Sequence, residues 1–261
     1  MRTEAVTPRE VIEQLLRAAG DDLVLVGGQA LAFWAYRFNL RLPSGHVAIS
    51  ADTDFLAPSA ADHAAVFRMA AVLKGATQFP NKRAMTSLVG QAYLDISDDE
   101  FINVDVVHRV IGLTQEAIRK RMVGVDFEDV HFFVMHPLHV LHSRLANLYE
   151  LAEKQGPKGV MQLSMAIDMA REYIRFEAMA RPQKATSGRS PIQPLVSEVE
   201  RLALQDSGRK VAQRFELYVA DAIDPSLIPA GPFWQRKWPG LSQLMSPGYA
   251  SRFLPPVTRR R

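Results

Sequence analysis

Three aspartates and a pair of glycines carry the chemistry that this sequence can offer. Asp52 and Asp54 lie two positions apart in Ser50-Ala51-Asp52-Thr53-Asp54-Phe55. On an extended segment successive side chains alternate, so the two carboxylates point to one face, with their backbones roughly 6 to 7 Å apart by strand rise. Such a pair is costly unless something positive sits between them, and the economical candidate is a divalent cation. Upstream, Leu23-Val24-Leu25-Val26 runs into Gly27-Gly28 ahead of a helical pattern. A glycine turn opening a helix is a natural partner for the phosphates that such a cation carries. Asp105 sits inside the apolar run Phe101-Ile102-Asn103-Val104-Asp105-Val106-Val107, where an unpaired charge is expensive. A metal shared with Asp52 and Asp54 accounts for all three acids, whereas an ion pair with Arg109 accounts for one.

Plainer readings compete. A Gly-Gly after a strand is often only a tight turn, and an Asp-x-Asp at a strand end is often a cap. Here Pro58 and Ser59 offer a better helix start a few residues later, which weakens the capping reading. Asp95, Asp98 and Asp99 read as turn acids. His136, His139 and His142 invite a zinc site, but a spacing of three turns each about 60° from the last around a helix, and His136 precedes Pro137, where helical geometry is disfavoured. Solvated or phosphate-facing histidines are the expectation. No Gly-x-Ser-x-Gly elbow occurs, and Gly27-Gly28 lacks the third glycine of a dinucleotide fingerprint.

The elements that position these residues follow from periodicity and punctuation. Residues 8 to 19 read as a helix, with Thr7 as N-cap, Pro8 at the first position, an apolar face of Val11, Leu15, Leu16 and Ala19, and Gly20 as its end. Leu23 to Val26 reads as a buried strand, Gln29 to Phe38 as a helix packed on a sheet, and Ala48 to Leu56 as a second strand after a loop around Pro43. Ser59 to Leu73 reads as a helix and Gly75 to Arg83 as a surface loop. Thr86 to Ile96 and Phe101 to Val107 form a hairpin pattern, followed by a helix over Leu113 to Met122 and a strand over Val130 to Met135.

From Pro137 the period changes to helical through Leu138, Leu141, Leu145, Leu148 and Leu151, and continues after Gly156-Pro157 through Leu163, Ile167, Ala170, Tyr173 and Ile174. Residues 181 to 194 read as a linker and Leu195 to Ala222 as helix. Prolines crowd the segment from Pro225 to Pro256, which rules out a long helix or central strand there, and Trp234 and Trp238 are expected to pin it. The expected organisation is an α+β domain over 1–136, with a small mixed or antiparallel sheet and flanking helices, a helical domain over 137–222 and an irregular tail over 223–261.

The bulk numbers set limits. At 261 residues, 48% hydrophobic and 23% charged, the chain has the composition of an ordinary globular protein. It has no cysteine, which removes disulfides, thiolate metal sites and a cysteine nucleophile. No apolar run approaches a membrane span and the first twenty residues hold no signal core, so a cytoplasmic protein is expected. The net charge of +3 does not demand a nucleic-acid partner, although Lys82-Arg83, Arg119-Lys120-Arg121 and Arg236-Lys237 are local basic clusters.

In their order, Gly27-Gly28, then Ser50-x-Asp52-x-Asp54, then a lone Asp105 on a later strand resemble the nucleotidyltransferase superfamily of the DNA polymerase β type. With His136-Pro137 leading into a helix that carries Arg144, the chain most resembles the AbiEii/MenT group of type IV toxin–antitoxin nucleotidyltransferases, over roughly residues 20 to 175. The interval from Gly28 to Asp52 is longer than usual for that group, and Lys158 to Leu163 stands where an Arg-Asp-x-x-Asp-like segment is expected. The resemblance implies that Gly27, Gly28 and Gln29 meet the phosphates of ATP or another nucleoside triphosphate, helped by Ser50 and Arg144. It implies that Asp52, Asp54 and Asp105 hold two Mg²⁺ ions, for which Mn²⁺ can substitute, while a hydroxyl attacks the α-phosphorus and pyrophosphate leaves. An RNA acceptor such as tRNA and a cognate antitoxin protein are the implied partners. Transfer to an aminoglycoside-like small molecule or to a protein, and a catalytically silent binding role, remain as alternatives.

Overall fold

The computed structural model describes residues 2–41, 50–81, 83–180 and 191–254. They form two compact units, Met1–Ser143 and Arg144–Arg261. In chain order the strands are β1 Thr3–Glu4, β2 Val24–Val26, β3 Thr53–Leu56, β4 Ala76–Gln78, β5 Leu88–Asp95, β6 Glu100–Val107, β7 Val123–Phe127 and β8 Val130–Val134. Among the described residues the helices are α1 Arg9–Ala19, α2 Gly27–Arg37, α3 His63–Leu73, α4 Gln115–Arg121, α5 Pro137–Glu150, α6 Pro157–Ala180, α7 Gln193–Leu204, α8 Asp206–Phe215 and the short α9 Trp238–Leu241 and α10 Pro247–Ala250. The class is therefore α+β, built on one mixed, open, eight-stranded sheet.

The sheet runs β4-β5-β6-β3-β2-β8-β7, with β1 pairing onto β6. β3 is antiparallel to β2 and parallel to β6, and β2 is parallel to β8. α1 packs on α3 and β8, α3 on β5, and α2 on β2 and β3. The centre of the first unit is apolar: Leu15, Leu23, Val24, Leu31, Phe55, Leu56, Met69 and Val104 are fully buried. Each such aliphatic or aromatic side chain contributes about 1.5–3 kcal/mol on leaving water.

Several local expectations are corrected. Thr7 does not cap α1; Pro8 occupies the cap position without a side-chain bond, and the Thr7 hydroxyl donates instead to the Ala51 carbonyl at 3.1 Å. Gly20, at φ 60°, does end that helix. α2 starts on Gly27 itself, with no turn between it and β2. α3 begins at His63, where the Asp62 carboxylate accepts from the Ala65 N–H, and not at Ser59. Part of the loop expected over Gly75 to Arg83 is an edge strand, β4, antiparallel to β5. The expected hairpin is present as β5 and β6, paired from Leu88↔Val107 to Asp95↔Phe101 with a register shift between Leu88 and Gly90. β7 was not expected; it makes a second hairpin with β8 across Glu128, which takes the left-handed region at φ 53°. Of the strand expected over Ala48 to Leu56, the first two residues lie outside the described residues, Ala51 and Asp52 form a bend, and Thr53 to Leu56 is extended; of the loop around Pro43 only its first residues, 39–41, are described.

In the second unit the helix expected over Leu195 to Ala222 is divided. Gln205 turns to ψ 159° between α7 and α8, and Glu216 closes α8 at φ 55°. A 3-10 turn follows at Val219–Ala222. Past Pro225 the described residues make only short helical turns, and Trp234 and Trp238 are buried against each other with ring centroids 5.3 Å apart. The Trp234 indole N–H donates to the Ile228 carbonyl at 3.0 Å. Most of the segment expected as a linker lies outside the described residues.

Candidate metal centre

The site forms where three central strands bring one row of residues together. Val26 on β2 pairs with Asp54 on β3, and Asp54 pairs with Asp105 on β6. Side chains of one row emerge on the same face, so the two carboxylates meet across a strand boundary rather than along a strand. Asp52 joins them from a bend that precedes β3, so strand alternation is not what aims it. Oxygen atoms of Asp52, Asp54 and Asp105 lie within 4.8 Å of one another, and each residue is half-buried. No other trio of acids or histidines converges in this way among the described residues.

The hydrogen bonds seen at Asp52 and Asp105 come from a hydroxyl and two amides. The Ser50 hydroxyl donates to Asp52 Oδ1 at 2.5 Å, and Gln29 Nε2 donates to the Ser50 carbonyl at 3.3 Å. The Thr7 backbone N–H and hydroxyl both donate to the Ala51 carbonyl, at 3.3 and 3.1 Å, which fixes the bend between them. Asp105 Oδ1 accepts from Gln91 Nε2 and from Asn103 Nδ2, both at 2.8 Å. Asp54 is set against bare backbone: a β-carbon on Gly27 would stand 1.7 Å from its Oδ2, and one on Gly28 would stand 2.2 Å from the Ser50 hydroxyl. Gly27 also has φ 67°, in the region that favours glycine.

These residues fit a divalent cation. At 4.8 Å two carboxylates repel by about 3 kcal/mol at an effective dielectric of 20. Amide and hydroxyl donors orient Asp105 and Asp52, and an all-oxygen donor set is the one that Mg²⁺ or Mn²⁺ takes. The start of α2 adds the positive end of a helix dipole beside Asp54, and no side chain caps that end.

The other expected ligands fall as follows. Gly27, Gly28, Gln29 and Ser50 stand at the carboxylates, all of them buried. Arg144 belongs to the second unit, where its Nη1 donates to Gln162 Oε1 at 3.2 Å. Of the basic clusters, Arg119 donates to the Asp22 carbonyl at 2.9 Å, Lys237 pairs with Glu200 at 2.7 Å, and Lys82 lies outside the described residues. Two of the histidines expected to be solvated or phosphate-facing are not solvated: His136 and His139 are buried, with ring centroids 5.7 Å apart, and Arg121 Nη2 lies 3.3 Å from the His136 ring. Burial, the Arg121 guanidinium and His139 push His136 down to about 3, and burial, Arg121 and His142 push His139 down to about 4.

Two residues of the site were missed. Asn103 stands two positions before Asp105 on the same strand face, a signal present in the sequence. Gln91 could be found only through the register that sets it opposite Asp105.

No protein-family model matches this chain, and comparison with curated proteins returns no match. Among the described residues no helix is long and apolar enough to cross a membrane.

Proposed function

We propose that the chain is a Mg²⁺-dependent nucleotidyltransferase of the polymerase β type, moving a nucleoside monophosphate from a nucleoside triphosphate to an acceptor hydroxyl. The observation that carries this reading is the convergence of Asp52, Asp54 and Asp105 beside the bare backbone of Gly27-Gly28 at the start of α2. The order of these features along the chain is what resembles the AbiEii/MenT toxins, and with them an RNA such as tRNA as acceptor and an antitoxin as partner.

Asp52, Asp54 and Asp105 would hold the ions, which when bound stabilise charge on the phosphate oxygens and lower the pKa of the attacking hydroxyl. The residues of the chain do the positioning. Backbone N–H groups at Gly27, Gly28 and Gln29 bind phosphate oxygens, since no β-carbon stands in the way at the first two. Ser50 keeps Asp52 turned inward. Gln91 and Asn103 donate to Asp105 Oδ1 and so orient the carboxylate that would meet the proton of the incoming hydroxyl.

The test is incubation with Mg²⁺ and each α-labelled nucleoside triphosphate, offering total RNA, an aminoglycoside or a protein extract as acceptor, and comparing wild type with Asp54→Ala. Transfer by the wild type and its loss in the variant are expected. Transfer that survives the substitution overturns the site, and nucleotide binding without transfer to any acceptor assigns a binding role instead.

A further inference from the structure

A cavity of about 300 Å³ opens beside the carboxylates and shares two residues with them, Gln29 and Ser50. That size is at the lower end for small-molecule sites. Its described lining carries no formal charge: apolar walls from α1 and α2, the phenol of Tyr36, the amides of Gln29 and Asn39, and the hydroxyls of Thr7 and Ser50. Thr7, Gln29 and Ser50 are only 2%, 9% and 5% exposed, so polar groups that rarely leave water line its inner end. Gln29 donates through Nε2 to Ser50, leaving Oε1 as an acceptor. Asn39 is placed by the left-handed turn, φ 52°, that ends α2. At the mouth, Tyr36 is 70% exposed.

The cavity follows α2 away from its phosphate-facing end. From Gln29 to Tyr36 the helix advances about 10 Å at 1.5 Å per residue, the reach of a nucleoside. An uncharged hollow with an aromatic face at its rim and amides inside is what a planar heterocycle with a hydrogen-bonding edge requires.

We propose that this cavity receives the base and ribose of the nucleoside triphosphate, so that α2 holds the phosphates at its first turn and the nucleoside along its next two. The assignment rests on the nucleotidyltransferase reading above and adds to it where nucleotide choice is made.

Ala32→Leu narrows the cavity at a half-buried helical position, and Tyr36→Ala removes the exposed ring. Affinities for the four α,β-methylene nucleoside triphosphates and for inorganic tripolyphosphate, measured with Mg²⁺ by calorimetry, separate the two halves of the ligand. Thermal melting checks folding. Ala32→Leu should weaken the preferred nucleotide at least tenfold, and Tyr36→Ala about fivefold or more, with tripolyphosphate binding unchanged. If wild type binds neither nucleotide nor tripolyphosphate, the function and this site both fall. If wild type binds both and the two variants bind nucleotide as tightly as wild type, the nucleoside site alone falls.

Discussion

Gly27 presses its backbone against the Asp54 carboxylate, leaving no room for a single methyl group between them. The distance from an added β-carbon to Oδ2 would be 1.7 Å, and the left-handed φ of Gly27 adds a second, independent demand for glycine. One residue thereby follows β2, starts α2 and sets bare backbone against a carboxylate.

Gly27→Ala should therefore damage the site and the fold together. The left-handed conformation alone costs about 1–2 kcal/mol for a residue with a β-carbon, and Asp54 must also move. We expect a fall in the melting temperature and loss of nucleotide binding. Wild-type affinity for Mn²⁺ in this variant would mean that Asp54 does not contact the ion.

Gly28 makes the same demand on a different partner, since its β-carbon would meet Cβ of Ser50 at 2.4 Å as well as the hydroxyl. Gly28→Ala alone should destabilise the chain, and adding Ser50→Gly should restore stability by clearing both atoms. The double variant should still bind Mn²⁺ more weakly, because Asp52 has lost its hydroxyl donor. Recovery of stability and ion affinity together would show that Ser50 has no part in aiming Asp52.

How much of this was legible in the sequence depends on whether a residue answers to local or distant partners. Gly20, the buried run before Gly27 and the pair β5 and β6 follow from short-range pattern, and all are present. The meeting of Asp54 and Asp105 was reached by elimination of costs, but the row Val26, Asp54, Asp105 is a fact of strand order that no local pattern encodes. Asp52 was expected on a strand and reaches the cluster from a bend tied down by Thr7, which read as a helix cap, and by Ser50, which was expected beside the aspartates. β7 escaped notice because Val123-Gly124-Val125-Asp126-Phe127 is an edge strand with no fully buried residue. His136 and His139 looked solvent-facing because helical spacing says nothing of what packs over a helix.

Three clustered carboxylates should make the protein weaker without a cation than with one. Their mutual repulsion lies between about 1 kcal/mol per pair in water and about 3 at an effective dielectric of 20. Mg²⁺ or Mn²⁺ at a hundredfold excess over Kd should add about 2.7 kcal/mol, roughly 5 to 10 °C in melting temperature. In EDTA, Asp54→Asn should melt above wild type, and the divalent increment should vanish. A variant that melts lower in EDTA and keeps the increment would remove the cation from this cluster.

Gln91 and Asn103 converge on one oxygen of Asp105, so they act as positioning residues. A hydrogen bond to a charged acceptor is worth about 1.5–3 kcal/mol, which sets the loss for Asn103→Leu at roughly tenfold or more in Mn²⁺ affinity. Gln91→Leu should behave alike, and Asn103→Ser should recover part of the loss. The pH dependence of transfer should shift upward in both leucine variants, because an amide donor favours the ionised carboxylate. Unchanged ion affinity and an unchanged pH profile would leave both amides with a purely structural role.

His139 supplies a stability switch that is separate from the carboxylates. Its ring is buried, Nδ1 has no hydrogen-bond partner among the described residues, and its pKa is depressed to about 4. The unfolded chain protonates near 6.5 while the native ring stays neutral, so stability is full above pH 6.5 and falls as pH drops toward 4. At pH 5, about 1.5 pH units below the unfolded value, protonation of this ring favours the unfolded state by about 2 kcal/mol. His136, depressed to about 3, adds a loss of the same sign over a window that extends lower. In His139→Gln the fall in unfolding free energy between pH 7 and pH 5, followed by urea titration, should shrink by about 2 kcal/mol. Parallel pH profiles for variant and wild type would place the proton on His139 in the native state as readily as in the unfolded one.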